Sequence, residues 1–259
     1  RKVSLTGSTR VGQQMLRDAA DTVKRVSMEL GGNAPLLVFE DADPEAVLDM
    51  AVPVKYANAG QVCVTPDRFY VHERHYESFV TGFAERAAAI KLGDGLDPDT
   101  GMGPVISRRR LEEIEAVVRD AEAHGARVAT GGRRAVAFNA GHFFEPTVLA
   151  DVPDDARAMA EENFGPVASI APFAEPDDAF ARANSVPHGL AAYAFTRDTG
   201  RAREAVARLR AGMVGINGFA LAAAEVPFGG VGASGMGREG GTEGIHDYLD
   251  VKLAQVMLP

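Results

Sequence analysis

The chain has a single cysteine, Cys63, in the run Asn58-Ala59-Gly60-Gln61-Val62-Cys63-Val64. A thiol there can do nucleophilic chemistry, because thiolate sulfur adds readily to a carbonyl carbon and leaves readily from a thioester. The bland reading of a lone cysteine is a small buried hydrophobe. Glu29, in Met28-Glu29-Leu30-Gly31-Gly32-Asn33, follows an apolar strand pattern. Alone it reads as a solvated residue at a strand end. The two glycines after it change this, because they let backbone come close to a ligand at the strand end, where sites gather in parallel sheets. Glu161-Glu162-Asn163-Phe164-Gly165-Pro166 joins acids to an aromatic, which by itself reads as a surface turn. Six histidines are scattered without metal-ligand spacing, so no metal site is expected. Gly230-Val231-Gly232-Ala233-Ser234-Gly235 spells G-x-G-x-x-G, but no strand precedes it and no helix clearly follows, so a dinucleotide loop is not expected there.

The elements that must position these groups alternate. Strand patterns lie at 2–5, 25–28, 36–39, 68–71, 168–173, 191–195 and 213–216. Helical patterns lie at 11–20, 43–58 with Asp43-Pro44 as cap and first turn, 75–90, 107–125, 177–184 and 201–209. Pro53 is expected to kink the second helix. Leu111, Ile114, Val117, Val118 and Ala121 form one apolar stripe after the Ser107 cap. This alternation predicts an α/β fold with a largely parallel sheet flanked by helices. Residues 93–104 and 131–141 read as loops, and 218–244 is glycine-rich without periodicity. Leu249, Val251 and Leu253 alternate with polar residues, which predicts a half-exposed final strand over Leu249 to Met257.

The 259 residues suffice for a full core. The net charge of -9 argues against nucleic-acid binding. No apolar run approaches a membrane span, and one cysteine permits no internal disulfide. The expectation is a cytoplasmic protein whose partners are small molecules or other chains. Starting on Arg1 and opening directly in a strand, the sequence reads as a piece of something longer.

Taken together and in order, Glu-Leu-Gly-Gly at 29–32, Gly-Gln-Val-Cys at 60–63, Glu-Glu-Asn-Phe-Gly-Pro at 161–166 and Pro-Phe-Gly-Gly at 227–230 resemble the aldehyde dehydrogenase superfamily over essentially the whole chain. The resemblance implies three regions: 1–31, the end of a dinucleotide-binding domain; 32–230, a catalytic domain; and 231–259, a glycine-rich return segment and oligomerisation tail. It implies Cys63 as nucleophile and Glu29 as general base, in the oxidation of an aldehyde to an acid with NAD or NADP. The cofactor would meet Gly7, Ser8 and Gly12 at its pyrophosphate, the Leu30 carbonyl at its amide, Glu162 at its ribose and Phe164 at its ring. Phe228 would be an aromatic wall of the aldehyde pocket, and the assembly a homodimer or homotetramer. The nearest branch acts on succinate semialdehyde and related ω-semialdehydes, judging by residues 30–35, 212–217 and 237–241. That branch commonly carries a carboxylate-binding arginine where this chain has Ala57, which leaves a semialdehyde and a small apolar aldehyde both open. Asn163 also departs, since an apolar residue or proline usually stands before the phenylalanine. A cysteine hydrolase and a non-catalytic chain serving as an oligomer partner are the competing readings.

Overall fold

The computed structural model describes residues 1–258. The fold is α/β, as the alternation predicts, and its helices and strands are built by the expected local signals. Strand β1 (Lys2–Thr6) leads into α1 (Thr9–Ala20), which starts two residues ahead of its apolar pattern because the Ser8 side chain accepts the Val11 N–H and caps it. Then follow β2 (Arg25–Glu29), β3 (Ala34–Val38) and α2 (Pro44–Tyr56), where Asp43 caps the first turn and Pro53 lies inside the helix. Helix α2 was expected to reach Asn58. It stops at Tyr56 because Asn58, Ala59 and Gly60 all take left-handed backbone, at φ 50, 55 and 70°.

Beyond Cys63 come β4 (Pro66–His72), α3 (Tyr76–Ala88), α4 (Arg108–Ala123), β5 (Arg127–Thr130), β6 (Thr147–Ala150), α5 (Arg157–Ala160) and β7 (Val167–Phe173). The chain continues with α6 (Pro176–Ala183), β8 (His188–Gly189), β9 (Ala191–Phe195), α7 (Thr199–Arg208), β10 (Met213–Ile216), β11 (Val231–Gly232), β12 (Gly235–Met236) and α8 (Gly241–His246). The apolar stripe of α4 is buried throughout, from Leu111 to Ala121.

Seven strands form one sheet in the order β10-β9-β3-β4-β7-β6-β5, parallel except for the pairing of β5 with β6. Every residue of the central strand β3 is buried, as expected where helices cover both faces. A second sheet joins β1 and β2 in parallel, with β12 antiparallel on the β2 edge, and β8 pairs with β11. The four residues between β2 and β3 cross from one sheet to the other. The carboxyl ends of β1 and β2 therefore face the amino ends of β3 and β4, and the candidate site forms at that meeting.

The sequence pattern misreads one segment of the fold. No strand forms over Leu249 to Met257: these residues make no ladder with any described strand, and Val251, Leu253 and Met257 stand open to solvent. An alternating pattern supplies one apolar face but not the neighbouring backbone that a strand needs. No described helix is long and apolar enough to cross a membrane.

Candidate active site

One cavity of about 490 Å³ opens where the sheets meet, and Gly7, Ser8, Glu29, Leu30, Cys63, Glu162 and Phe164 all line it, with Thr6, Gln61, Val62 and Arg110 among the remaining walls. Seven of the ten residues singled out in the sequence thus converge from four separate chain segments.

The amino end of α1 forms one side. Gly7 and Ser8 make the turn out of β1, and the Gly7 N–H donates to the Glu29 carbonyl at 3.0 Å, tying that turn to the end of β2. Gly12 does not line the cavity. A Cβ on it would lie 2.5 Å from the Leu30 side chain, so its small size lets α1 pack down on Leu30.

Cys63 sits on a turn that is held rather than free. The left-handed run 58–60 precedes it, locked by Asn58 Nδ2 donating to the Gln61 carbonyl at 3.0 Å and Gln61 Nε2 donating back to the Asn58 carbonyl at 2.9 Å. The Gln61 Oε1 also accepts the Ile106 N–H at 2.9 Å, joining the turn to the approach of α4. A side chain on Gly60 would overlap the Gly165 carbonyl. Two successive non-glycine residues in left-handed backbone, Asn58 and Ala59, are strain of the kind kept only where surroundings over-determine it.

Beneath the site lies a buried polar layer. Lys55, with no exposed side-chain surface, pairs with Asp67 at 2.5 Å. The other Asp67 oxygen accepts the Asn163 N–H at 3.3 Å. The Asn33 amide donates to the Met159 carbonyl and the Asn163 amide to the Ala158 carbonyl, so the unusual residue before Phe164 is a core contact with α5. The decoy glycine motif also has a structural place: the Ser234 hydroxyl donates to the Gly31 carbonyl at 2.7 Å and accepts the Gly189 N–H at 3.0 Å, strapping the Gly31-Gly32 crossing from below.

Electrostatics favour uncharged forms in the site. Burial pushes the Cys63 thiol up to about 12, and the neighbouring Glu29 carboxylate adds to the rise. Burial also raises Glu29, an effect the Cys63 thiol opposes and Glu239 reinforces. Glu162 is pushed up to about 7, first by burial, against the Gly32 N–H that donates to its Oε1 at 2.8 Å. The Arg110 guanidinium, 5.8 Å from the centre of the Phe164 ring, is the one cation among the lining residues.

Two expected pocket residues fall elsewhere. Ala57 faces a separate groove of about 690 Å³ with Tyr56, Arg86 and Lys91, because the left-handed turn reverses the chain between it and Cys63. Phe228 lies behind Glu29, in a small recess shared with Glu239, to which its backbone is bridged by bonds of 2.7 and 2.8 Å. Thr6, Gln61, Val62 and Arg110 are walls that sequence reasoning missed. The signal for Gln61 was its place inside the Gly-Gln-Val-Cys run; Arg110 is one of three successive arginines, and nothing marks it out from the others. No histidine lines the cavity, and no cluster of metal-binding side chains occurs among the described residues.

Comparison with known proteins identifies the family. The profile of the aldehyde dehydrogenase family matches residues 1–254. A probable NADP+-dependent succinate-semialdehyde dehydrogenase of Sinorhizobium fredii is 46% identical over 97% of this chain and 51% of its own length. A glutarate-semialdehyde dehydrogenase of Pseudomonas putida is 42% identical over 97% of this chain and 52% of its own. The NAD+ complex of an aldehyde dehydrogenase from Bacillus cereus superposes with a TM-score of 0.94 at 39% identity, over 97% of this chain and 51% of that one. The chain spans about half the length of the curated relatives it matches. On a match that runs through both sheets and every wall of the Cys63 cavity, the chain belongs to the aldehyde dehydrogenase family.

Proposed function

We propose that this chain carries the reacting groups of an NAD(P)-dependent aldehyde dehydrogenase, with Cys63 as nucleophile and Glu29 as general base. The observation that carries the reading is the placement of the half-buried Cys63 beside the buried Glu29 in one cavity with the amino end of α1 and with Glu162. A dinucleotide fits this wall. The amino end of a helix of twelve residues favours pyrophosphate, and Gly31 leaves space beside the Glu162 carboxylate that a Cβ would fill, at 2.5 Å from its Oε2. Gly7 and Ser8 would hold the phosphates, Leu30 the carboxamide through its carbonyl, Glu162 the ribose and Phe164 the flank of the ring. When bound, the nicotinamide accepts hydride from the carbon attached to Cys63.

The chain's own residues do the rest. Glu29 takes the thiol proton as Cys63 sulfur adds to the aldehyde carbon, giving a thiohemiacetal. The Cys63 N–H would hold the resulting oxyanion. Oxidation leaves a thioester on Cys63. Glu29, having passed the thiol proton to bulk water and kept basic by its raised pKa, then takes a proton from the water that attacks the thioester carbon and hands it to the departing sulfur, releasing the acid and restoring the thiol. Names of relatives support NADP+ and NAD+ alike. They also support a short semialdehyde as substrate. Ala57 offers no anion anchor, so a distal carboxylate would be held by some other group. Glu29→Gln in the full-length protein should let a thioester accumulate on rapid quench while steady turnover falls by ~10²-fold; unchanged turnover would remove Glu29 from its role.

A further inference from the structure

We propose that Asp67 is a positioning residue that joins the loop bearing Cys63 to the loop bearing Glu162 and Phe164, so that nucleophile and cofactor-side groups move as one body. The proposal rests on the reading above for what those loops do, but its geometry is independent of it.

The Asp67 carboxylate faces two ways. One oxygen meets Lys55 at 2.5 Å, and Lys55 ends α2 just ahead of the left-handed turn that delivers Cys63. The other accepts the Asn163 N–H at 3.3 Å, and Asn163 separates Glu162 from Phe164. Asp67 itself opens β4, the strand that Cys63 leads into. A single side chain therefore touches the segment before the nucleophile, the strand after it and the loop across the cavity. Its side chain is 6% exposed and that of Lys55 is 0%, so neither contact is shared with solvent. The direct packing of Gly60 on the Gly165 carbonyl joins the same two loops from the cavity side. A buried ion pair is an expensive way to gain stability, since apolar replacements of similar volume are often as good. Its retention under a reactive loop is explained by the direction it imposes. A carboxylate can receive a lysine and a backbone amide at fixed angles, and an apolar contact cannot.

Two charge-free versions of the full-length protein separate direction from charge. In K55M/D67N the amide oxygen still accepts the Asn163 N–H, whereas in K55M/D67L that acceptor is gone, and neither leaves an unpaired buried charge. Backbone hydrogen exchange in 58–63 and in 162–165 should rise together in K55M/D67L and stay near wild type in K55M/D67N. The KM for NAD(P)+ should rise about tenfold in K55M/D67L, with the KM for aldehyde within about twofold, and K55M/D67N should recover most of that loss. If the two variants are alike in exchange and in KM, the tether is wrong. If the wild type oxidises no aldehyde with either cofactor, the functional reading fails, and the exchange comparison still decides the tether.

Discussion

The carbonyl oxygen of Cys63 lies 2.5 Å from where a Cβ on Gly32 would stand. The Cys63 backbone thus occupies the space that a side chain at residue 32 would need, and backbone cannot swing aside as a flexible side chain can. Gly32→Ala should displace the Cys63 turn, costing about 1–3 kcal/mol of stability and about 10²-fold in turnover. Thermal midpoint and kcat read the two effects. Gly95→Ala, at an exposed glycine with nothing within 4 Å of the added methyl, is the control and should change neither.

Cofactor-free protein should react slowly with iodoacetamide at neutral pH, and faster by about tenfold per pH unit between 7 and 9. The thiol is held up to about 12, and only the thiolate reacts. Glu29→Gln removes one cause of that rise, so alkylation at a fixed pH should quicken even as turnover falls. Equal or slower alkylation in the variant would show that Glu29 does not raise the thiol.

Glu162 has a folded pKa pushed up to about 7 from an ordinary 4.5, so the folded state binds its proton more tightly than the unfolded chain does. The stability this gives is fully present below about 4.5, declines as pH rises between the two values, and is gone above about 7. Glu162→Gln should therefore remove part of the fall in thermal midpoint from pH 4.5 to 7, seen as a difference between wild type and variant. The same variant should bind NAD(P)+ more weakly.

Ala57→Arg places a guanidinium on the far face of the Cys63 turn, in the groove where Arg86 is already paired with Glu45 and Lys91 with Asp97. If aldehydes enter by that groove, kcat/KM for succinate semialdehyde over that for butyraldehyde should rise by about tenfold or more, the usual return for a charge-assisted contact. An unchanged ratio would place the entrance on another side.

The tail 249–258 keeps Val251, Leu253, Val256, Met257 and Leu258 exposed, with no described strand beside them. Pairing with a second copy would cover this face. Deleting Leu249 to Pro259 from the full-length protein should lower the mass measured by light scattering; an unchanged mass and thermal midpoint would exclude the tail from assembly.

The residues proposed to carry chemistry were legible because their neighbours are unusual: paired glycines after Glu29, Gly-Gln before Cys63, and an aromatic after paired acids. Periodicity found the long elements, including the whole buried stripe of α4. It missed β5, β6 and α5, each only four residues, too short to show a period or to differ from a loop with apolar members. It could not find the reversal at 58–60, because Asn58 and Ala59 carry no local demand for left-handed backbone; the turn is imposed by the contacts of Gly60 and Gln61. The Lys55–Asp67 pair left one trace, a lysine inside the apolar run Ala51 to Tyr56, which reads as a solvated residue until the fold buries it.

The crossing between β2 and β3 puts the proposed base and the proposed nucleophile on opposite banks of a seam: Glu29 ends one sheet, and Cys63 stands before a strand of the other. The gap between carboxylate and sulfur is therefore set by the tilt of one sheet against its neighbour rather than by any single loop. On the proposed roles, a rotation at that seam would carry the Glu29 carboxylate toward or away from the Cys63 sulfur, with the Gly31-Gly32 crossing tied to Ser234.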